Sequence, residues 1–270
     1  MEDLSGIDWE DAFENGGYIE NGSAYPDLWA KRAADFRSRH ADRMSEVAYG
    51  VAPREKIDIF RPEGASKGLV VFVHGGYWLK FSKDMWSHLA EGALSQGWTV
   101  ALPGYTLAPE NSIPGIAQQV ARAIDHAAGL VEGPIHLVGH SAGGHLVTRS
   151  VSEGSALSDE TAARIRRVIS VSGVHDLRPL QMHSMNARLG ITPEIAASES
   201  PALLKLRPGV KVTVWVGAAE RPEFLRQSSL LAEHWPSADL VAAYGRHHFD
   251  VIEELSDPSS ALVTALLSTD

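Results

Sequence analysis

A serine flanked by glycines directly follows an apolar run. Residues 139–144 read Gly-His-Ser-Ala-Gly-Gly, which puts Ser141 at the centre of a G-x-S-x-G pattern. The run 135–138 before it has strand length and the stretch 142–152 after it has a helical pattern, the strand–turn–helix context of a nucleophilic serine. Glycines at 139 and 143 allow the strand and helix to pass closely, and the helix N-terminus favours developing negative charge. The pattern therefore predicts that Ser141 is a nucleophile.

A second glycine pair, in Phe-Val-His-Gly-Gly-Tyr-Trp at 72–78, follows another apolar run. Acyl transfer places an oxyanion on the former carbonyl oxygen, and each preorganised N–H donor contributes about two to three orders of magnitude in rate. Tandem glycines let backbone N–H groups face a site without side chains in the way. We expect donors at Gly76, Tyr77 and Ala142, with His74 fixing the loop by side-chain hydrogen bonds. A plain Gly-Gly turn is the alternative.

Two adjacent histidines near the C-terminus compete for the role of general base. When the nucleophile lies on a strand–turn–helix of this type, the chain order is nucleophile, acid, histidine, so the base should follow the last strand. The sequence Tyr-Gly-Arg-His-His-Phe-Asp at 244–250 lies there and offers His247 and His248. Position alone leaves both histidines open.

The acid should follow the preceding strand, predicted at 211–216, and the first carboxylate there is Glu220. A carboxylate at this position holds the imidazole in the required tautomer and stabilises its protonated form. Glu223 and Asp176 are the competitors. Glu223 fits the first turn of the next helix, where the helix dipole favours it, and Asp176 follows the strand before. The sequence therefore favours Glu220 as the acid.

Short apolar runs alternate with helical patterns along the chain. Most of the runs are apolar throughout, as expected for strands buried on both faces, and helices between strands imply crossover connections. These features predict an α/β fold with a mostly parallel central sheet and helices on both faces. The predicted strands are 56–60, 69–73, 99–102, 135–138, 167–171, 211–216 and 240–244, and the predicted helices are 85–95, 116–131, 142–152, 222–234 and 258–267.

Two regions of the predicted single domain, 1–270, do not follow this alternation. Residues 1–45 precede the first convincing strand and are rich in Gly, Asn, Tyr and acidic residues. Residues 174–208 form a connection that is long for a compact domain, and such connections usually have a function. We expect 174–208 to form a small cap over the site, the alternative being a surface excursion.

Composition and charge limit the partners and the compartment. The 270 residues are 44% hydrophobic and 21% charged, as in ordinary globular proteins, and the net charge of −10 disfavours nucleic acid. The chain has no cysteine and no spacing of histidines and carboxylates typical of a metal site. The acidic N-terminus lacks a secretory apolar region, and no apolar run is long enough to span a bilayer. We expect a cytoplasmic protein that acts on a small molecule without cofactor, metal, membrane or nucleic acid.

Together the motifs resemble those of the kynurenine formamidase (arylformamidase) family of α/β hydrolases. The resemblance rests on His-Gly-Gly-Tyr-Trp at 74–78 paired with Gly-His-Ser-Ala-Gly-Gly at 139–144. It extends to Glu-Arg-Pro-Glu-Phe at 220–224 and His-Phe-Asp-Val-Ile-Glu at 248–253. The resemblance implies the α/β-hydrolase fold and assigns the base to His248. Tyr18, Tyr25 and Trp29 are also similar to the N-terminal segment of that family.

The family implies hydrolysis of an aryl formamide, N-formylkynurenine, to formate and an aromatic amine. Glu220 stands where the family has aspartate. This departure does not threaten catalysis, because either carboxylate can serve as the acid. A more distant likeness, through Tyr-Thr-Leu-Ala-Pro-Glu at 105–110, is to hormone-sensitive-lipase-like esterases. A carboxylesterase for short-chain or aryl esters is thus the alternative function. A catalytically inactive ligand-binding member of the fold would be expected to lack a triad residue, and none is missing from the sequence.

Bulky side chains near the motifs suggest the shape of the substrate site. Tyr77 and Trp78 follow the glycine pair, Trp86 begins the next helix, and Met182 and Met185 lie in the expected cap. Such side chains favour a flat aromatic leaving group, and Tyr77 stands where related esterases carry a third glycine. We expect a small acyl group, formyl or acetyl, on an aromatic leaving group. The alternative is that Trp78 and Trp86 are core residues.

Overall fold

The structure, a computed structural model, describes residues 6–268; the first five and last two residues of the predicted domain, with the beginning of the acidic N-terminus, lie outside the described residues. The strands are Met44–Ala48 (β1), Lys56–Phe60 (β2), Leu69–Val73 (β3), Thr99–Pro103 (β4), Ile135–His140 (β5), Ile165–Val171 (β6), Lys211–Gly217 (β7) and Asp239–Ala243 (β8). They form one eight-stranded sheet in the order β1-β2-β4-β3-β5-β6-β7-β8.

Helices connect most of these strands. The α-helices are Trp9–Ala12 (α1), Tyr25–Arg39 (α2), Glu91–Ser95 (α3), Ile113–Ala128 (α4), Ala142–Ser150 (α5), Asp159–Arg164 (α6), Asn186–Leu189 (α7), Pro193–Glu199 (α8), Pro222–His234 (α9) and Ala261–Leu267 (α10). Short 3-10 helices lie at Gly16–Tyr18, Gly22–Ala24, Lys83–Ala90, Pro179–Met182, Pro201–Leu203 and Val251–Ser256. Among residues 6–268, none of the helices combines the length and the apolar character needed to cross a membrane.

The direction of the strands determines where loops can meet. β2 is antiparallel to both β1 and β4, and the remaining neighbours, β4-β3-β5-β6-β7-β8, are all parallel. The predicted mostly parallel sheet is confirmed. Since parallel strands end at the same edge, the loops after β3, β5, β6, β7 and β8 all lie at one side of the sheet, where open α/β sheets bind ligands.

Apolar side chains cover both faces of the sheet. Leu69, Val71 and Val73 of β3 share one core with residues of α4, α5 and α9, while Val70 and Phe72 share the other with residues of α2, α3 and α10. Successive side chains of a strand point to opposite faces, so a continuous apolar run is what burial on both faces requires. The prediction of helices on both faces is therefore confirmed.

All seven predicted strands are present, with ends that differ by up to two residues, and the helix predicted at 222–234 has those bounds. Among the elements that were not predicted are β1 and α2. β1 is half exposed along its length and pairs only with β2, so its mixed sequence lacks the apolar run used to find strands. α2 buries Trp29, Ala33 and Phe36, one helical face within a stretch of otherwise polar composition.

The connection 174–208 is folded. It contains the 3-10 helices Pro179–Met182 and Pro201–Leu203 with α7 and α8 between them, and its apolar residues Leu180, Ile191 and Ala196 are buried in the core on the α4 side of the sheet. Most of this connection therefore packs on the domain. Its function as a cap stays a prediction.

Candidate active site

Ser141 occupies the turn between β5 and α5. Its backbone has φ 55° and ψ −118°, a positive-φ conformation that residues other than glycine rarely adopt. Its N–H donates to the carbonyl of Val171, at the end of β6, at 2.8 Å. A Cβ atom at Gly143 would lie 1.9 Å from the carbonyl oxygen of Val73, and one at Gly139 would lie 2.2 Å from that of Gly143. Close passage of strand and helix therefore requires both glycines.

The loop that follows β3 lies directly against this turn. A Cβ atom at Gly75 would lie 3.0 Å from the Cβ of Ser141. Gly76 has φ 113° and Tyr77 has φ 54°, so the backbone leaves the strand in a left-handed turn. Within residues 6–268, the backbone N–H groups of Gly76, Tyr77 and Ala142 have no hydrogen-bond acceptor. Three unpaired donors thus lie on the two segments that meet at Ser141.

His74 lies beneath this loop and is buried. Its Nδ1 donates to the carbonyl of Gly75 at 2.8 Å, and its ring stacks on Tyr105 with the ring centroids 4.4 Å apart. The Tyr105 hydroxyl donates to the carbonyl of His74 at 2.9 Å. Burial lowers the pKa of His74 to about 4, so the ring is neutral at pH 7. These contacts hold the loop in place.

His248 and Glu220 form a buried pair at the ends of β8 and β7. His248 Nδ1 donates to Glu220 Oε2 at 2.6 Å, and both side chains are at least 95% buried. The other carboxylate oxygen, Oε1, accepts the Gly217 N–H at 2.8 Å and a short hydrogen bond from the Ser172 hydroxyl. Because Glu220 is anchored on both oxygens, it fixes the His248 ring with Nδ1 protonated and leaves Nε2 as the basic nitrogen.

His140 joins this pair to the serine turn. Its Nε2 donates to the carbonyl of His248 at 2.9 Å, and the centroids of the two imidazole rings lie 4.7 Å apart. Burial and the neighbouring His248 lower the pKa of His140 well below its usual value, so it is neutral. No hydrogen bond links Ser141 Oγ to His248 among the described residues. Such bonds often tighten only when substrate is bound, so the absence does not remove His248 as a candidate.

The competing residues have other partners. His247 is partly exposed, with its Nε2 3.2 Å from the Tyr25 hydroxyl and its Nδ1 accepting the N–H of Phe249. Glu223 lies in the first turn of α9, as expected, and binds Arg226 and Gln227. Asp176 accepts two hydrogen bonds from the guanidinium of Arg178. The structure therefore pairs Glu220 with His248, and none of the three competitors takes part in that pair.

The side chains expected to form the substrate pocket are spread more widely. Trp78 and Trp86 are at most 1% exposed and belong to the cores on opposite faces of the sheet, as the alternative prediction stated, so we do not carry them into the substrate site. Met185 packs against the core, while Met182 is 58% exposed. Tyr77 is half-buried at the turn itself; its hydroxyl donates to the carbonyl of Phe13 at 2.6 Å.

Residues 6–24, which we call the N-terminal segment, supply contacts that were not predicted. Asn15 Nδ2 donates to the Tyr77 hydroxyl at 2.9 Å. Asn15 and Tyr18 line a cavity of about 220 Å³ together with Glu220, Arg221 and His248. No motif in this segment predicts the contact between Asn15 and Tyr77, because the two residues lie more than 60 positions apart in the sequence. Ser172 was also missed, although its position just after β6 places it at the same edge of the sheet.

One group of carboxylates in the described part of the chain comes close enough to share an ion: Glu46, Asp58 and Asp84. Lys83 Nζ lies among them, donating to the three carboxylates at 2.9, 2.7 and 3.0 Å respectively. Arg37 forms a further short contact with Asp58. These residues are an ion-pair network on the β1–β2 side of the sheet, with a lysine in the position that a cation would take.

The chain is similar to known α/β hydrolases over most of its length. The model of the alpha/beta hydrolase family matches residues 70–268. The kynurenine formamidase of Danio rerio is 33% identical over 83% of this chain and 80% of its own length. The loops that carry Ser141, Glu220 and His248 all lie within the matched residues.

Solved structures agree on the fold. A crystal structure of a proposed thioesterase from a Silicibacter species has 50% sequence identity and a TM-score of 0.95, covering 97% of this chain and 100% of that one. An esterase from Pyrobaculum calidifontis has 19% identity and a TM-score of 0.65, covering 85% and 86% of the two chains. The second likeness concerns the fold alone.

Proposed function

Because this chain belongs to the alpha/beta hydrolase family, among its kynurenine formamidase-like members, we propose that it hydrolyses an aromatic amide or ester with a small acyl group through an acyl-enzyme. It is a hydrolase of the arylformamidase or esterase type. The observation that supports the mechanism best is the buried Glu220–His248 pair, with its Nδ1–Oε2 distance of 2.6 Å, beside the turn of Ser141.

In the first step, Ser141 Oγ attacks the carbonyl carbon while His248 Nε2 takes its proton. Glu220 stabilises the imidazolium that forms and remains ionised. The carbonyl oxygen becomes an oxyanion, which the unpaired N–H groups of Gly76, Tyr77 and Ala142 bind. The tetrahedral intermediate collapses when the bond to the leaving nitrogen or oxygen breaks, and the leaving group takes the proton from His248 Nε2.

In the second step, water attacks the acyl-enzyme. His248 Nε2 takes a proton from the water as its oxygen bonds to the acyl carbon, and the same N–H groups hold the second oxyanion. The intermediate expels Ser141 Oγ, which recovers the proton from His248. The products are the free serine and the acid, formate or acetate, and no further reactant is needed.

The acyl group is proposed to be small because of how Tyr77 is held. Its backbone lies in the turn after β3, where we propose the oxyanion donors, and its hydroxyl is hydrogen-bonded to the Phe13 carbonyl and to Asn15. Moving this ring would break both hydrogen bonds. In the proposed site the ring therefore limits the space for the acyl group beside the reacting carbonyl. Formyl and acetyl groups satisfy that limit. Because the Danio rerio relative is a kynurenine formamidase, N-formylkynurenine is the first substrate to test.

Thioester hydrolysis is the second candidate, favoured by the 50% identity to a proposed thioesterase. The same nucleophile, base and oxyanion donors serve for a thioester, because its carbonyl passes through the same tetrahedral stage. The two functions differ in the leaving group alone.

We also propose that residues 174–208 cap part of the site, and that the cysteine-free chain acts in a reducing, cytoplasmic setting.

A substrate panel tests the proposal. We expect kcat/KM to be highest for N-formylkynurenine, lower for p-nitrophenyl acetate, and lowest for an acetyl thioester of a plain alkyl thiol. Ser141→Ala, purified in parallel, is the control for contaminating hydrolases. A thioester turned over faster than both other substrates would replace the formamidase proposal with the thioesterase one, and inactivity on all three would refute both.

A further inference from the structure

The cavity between the N-terminal segment and the loops after β7 and β8 is lined by two residues that each have a buried polar atom without a partner in the described part of the chain. The cavity has a volume of about 220 Å³, roughly seven water molecules. Asn15 Oδ1 and Arg221 Nε are both buried and have no hydrogen-bond partner in the described part of the chain. Both residues line this cavity, as does His248. Buried polar groups are nearly always paired in native proteins, so two orphans around one cavity point to a ligand.

The neighbours of Asn15 settle which of its amide atoms is free. The Tyr77 hydroxyl has one proton and donates it to the Phe13 carbonyl. The same hydroxyl oxygen must therefore accept from Asn15, which assigns Nδ2 to that contact and Oδ1 to the unpaired position. Asn15 is 4% exposed and held by this chain of hydrogen bonds. Its free atom is thus a fixed acceptor.

The free atom of Arg221 is a donor. The guanidinium stacks on the Tyr18 ring at 3.6 Å from its centroid, and one terminal nitrogen is paired with Asp11. The stacking and the ion pair hold the side chain in one position and leave Nε–H unused. An oxygen acceptor is the natural partner for this group, and a charged donor makes the stronger hydrogen bond.

We propose that Asn15 and Arg221 are specificity-determining residues that bind the polar arm of the leaving group. Asn15 Oδ1 accepts from an N–H of that arm, and Arg221 Nε donates to a carboxylate or carbonyl oxygen on it. The inference rests on the proposed function. The favoured substrate is then an aryl amide or ester whose ring carries a side arm with both groups, as an amino-acid arm does, and a plain aryl group leaves both orphans unpaired.

The position of the cavity explains why it receives the leaving group and not the acyl group. His248 gives its proton to the leaving atom, so the leaving group lies on the side of the site that this histidine borders. The cavity is bordered by His248 and Glu220. The Tyr18 ring, 57% exposed at the cavity, offers further aromatic surface to an aryl group.

The test compares two formyl anilides with the same scissile bond: N-formylkynurenine, which has an amino-acid arm, and formanilide, which has none. The wild-type enzyme is expected to prefer N-formylkynurenine. In Asn15→Leu and in Arg221→Lys, the ratio of the two kcat/KM values should fall about 10- to 100-fold. Each substitution removes one hydrogen-bonding group of the protein and leaves a polar group of the substrate's arm unpaired. Any loss of formanilide turnover should be at least about tenfold smaller than the loss of N-formylkynurenine turnover, because formanilide has no arm for these residues to bind.

Two matched variants separate recognition from structure. Asn15→Asp keeps an acceptor but loses the Nδ2 donor to Tyr77, and Asp11→Asn weakens the ion pair of Arg221 but keeps Nε–H. Both should retain the wild-type substrate ratio. Equal losses in the controls, or an unchanged ratio in Asn15→Leu and Arg221→Lys, would overturn the inference while the proposed function stands. A wild-type enzyme inactive on both anilides would instead overturn the proposed function and the inference with it.

Discussion

Two regions meet beside the Glu220–His248 pair, and they are built in different ways. The loops at the carboxyl edge of the sheet owe their shape to close contacts within a few residues: a Cβ atom at Gly143 would lie 1.9 Å from a carbonyl oxygen of β3. The N-terminal segment owes its position to contacts with distant residues, such as Phe13 with Tyr77 and Asp11 with Arg221. The first region carries the groups to which we assign the reaction in our proposal, and the second contributes to the cavity beside them.

This difference suggests a division of work. Residues that take part in bond making must be positioned within fractions of an ångström, and a turn shaped by glycines and positive φ provides that. Residues that select a substrate can come from a separate segment, because they need only the right hydrogen-bonding groups at the wall of the cavity. If so, changes at the edge of the sheet should remove activity, whereas changes in the N-terminal segment should alter selectivity and stability.

The largest effect is expected for Ser141→Ala. We expect kcat to fall by about four to six orders of magnitude, as for nucleophile knockouts in related chemistry, while the fold survives. The replacement removes one oxygen atom, so a circular dichroism spectrum and melting temperature close to those of the wild type should accompany the loss. A phosphonate inhibitor should label Ser141 alone in the wild-type protein, and labelling at another serine would contradict the assignment.

Nearly as large an effect is expected for His248→Ala, since triad residues act as a unit. His247→Ala is the matched control, because His247 is adjacent in sequence but bonds Tyr25 instead of Glu220. The control should keep kcat within about tenfold of the wild type, as expected for a residue outside the triad. Steady-state kinetics with p-nitrophenyl acetate measures both. The reverse ranking would move the base to His247 and leave the fold untouched.

The sequence was sufficient for most of the sheet and for the residues that we assign to the chemistry. Apolar runs such as 69–73 lie on strands buried on both faces, where composition alone marks them. The half-exposed edge strand β1 and the mostly polar helix α2 have no such mark. Glu220 could be named because the order of strands along the chain limits which loops reach the serine. That order left both His247 and His248 open, and the resemblance to the kynurenine formamidase family chose His248.

The surroundings of the site could not be predicted in the same way. Trp78 follows the glycine pair by two positions, but its ring turns into the core and contacts His145 edge-on. Asn15 lies 62 positions from its partner Tyr77, and only the folded chain shows that they touch. Tertiary contacts between separate segments decide such positions, and no local spacing encodes them.

Phe13→Ala tests the second region. Phe13 is 1% exposed and packs edge-on against Phe224 and His183, so its loss should lower the free energy of unfolding by about 3 kcal/mol. The backbone carbonyl that accepts from the Tyr77 hydroxyl is kept in this variant, so its effect on the site comes from the lost packing of the N-terminal segment. We expect kcat for p-nitrophenyl acetate to fall less than about tenfold and KM for N-formylkynurenine to rise. Denaturant unfolding and kinetics at a temperature where the variant is folded measure these effects. A loss of kcat as large as that of His248→Ala would show that the two regions do not divide the work.

The smallest effect per step, and the one that joins the two regions, concerns the length of the acyl chain. The backbone of Tyr77 lies in the turn that carries the proposed oxyanion donors. Its hydroxyl donates to the Phe13 carbonyl of the N-terminal segment at 2.6 Å. If the ring closes the acyl side, kcat/KM for p-nitrophenyl esters should fall steeply from acetate to octanoate. Each methylene that found an apolar pocket would instead help by up to about 0.8 kcal/mol, or roughly fourfold. Tyr77→Phe should flatten the decline, because the ring loses its hydroxyl hydrogen bonds to the Phe13 carbonyl and to Asn15 while its backbone N–H keeps its place in the turn. A rate that rises with chain length in the wild-type enzyme would reveal a long acyl groove, and a lipase-like esterase would then replace the formamidase as the proposed function.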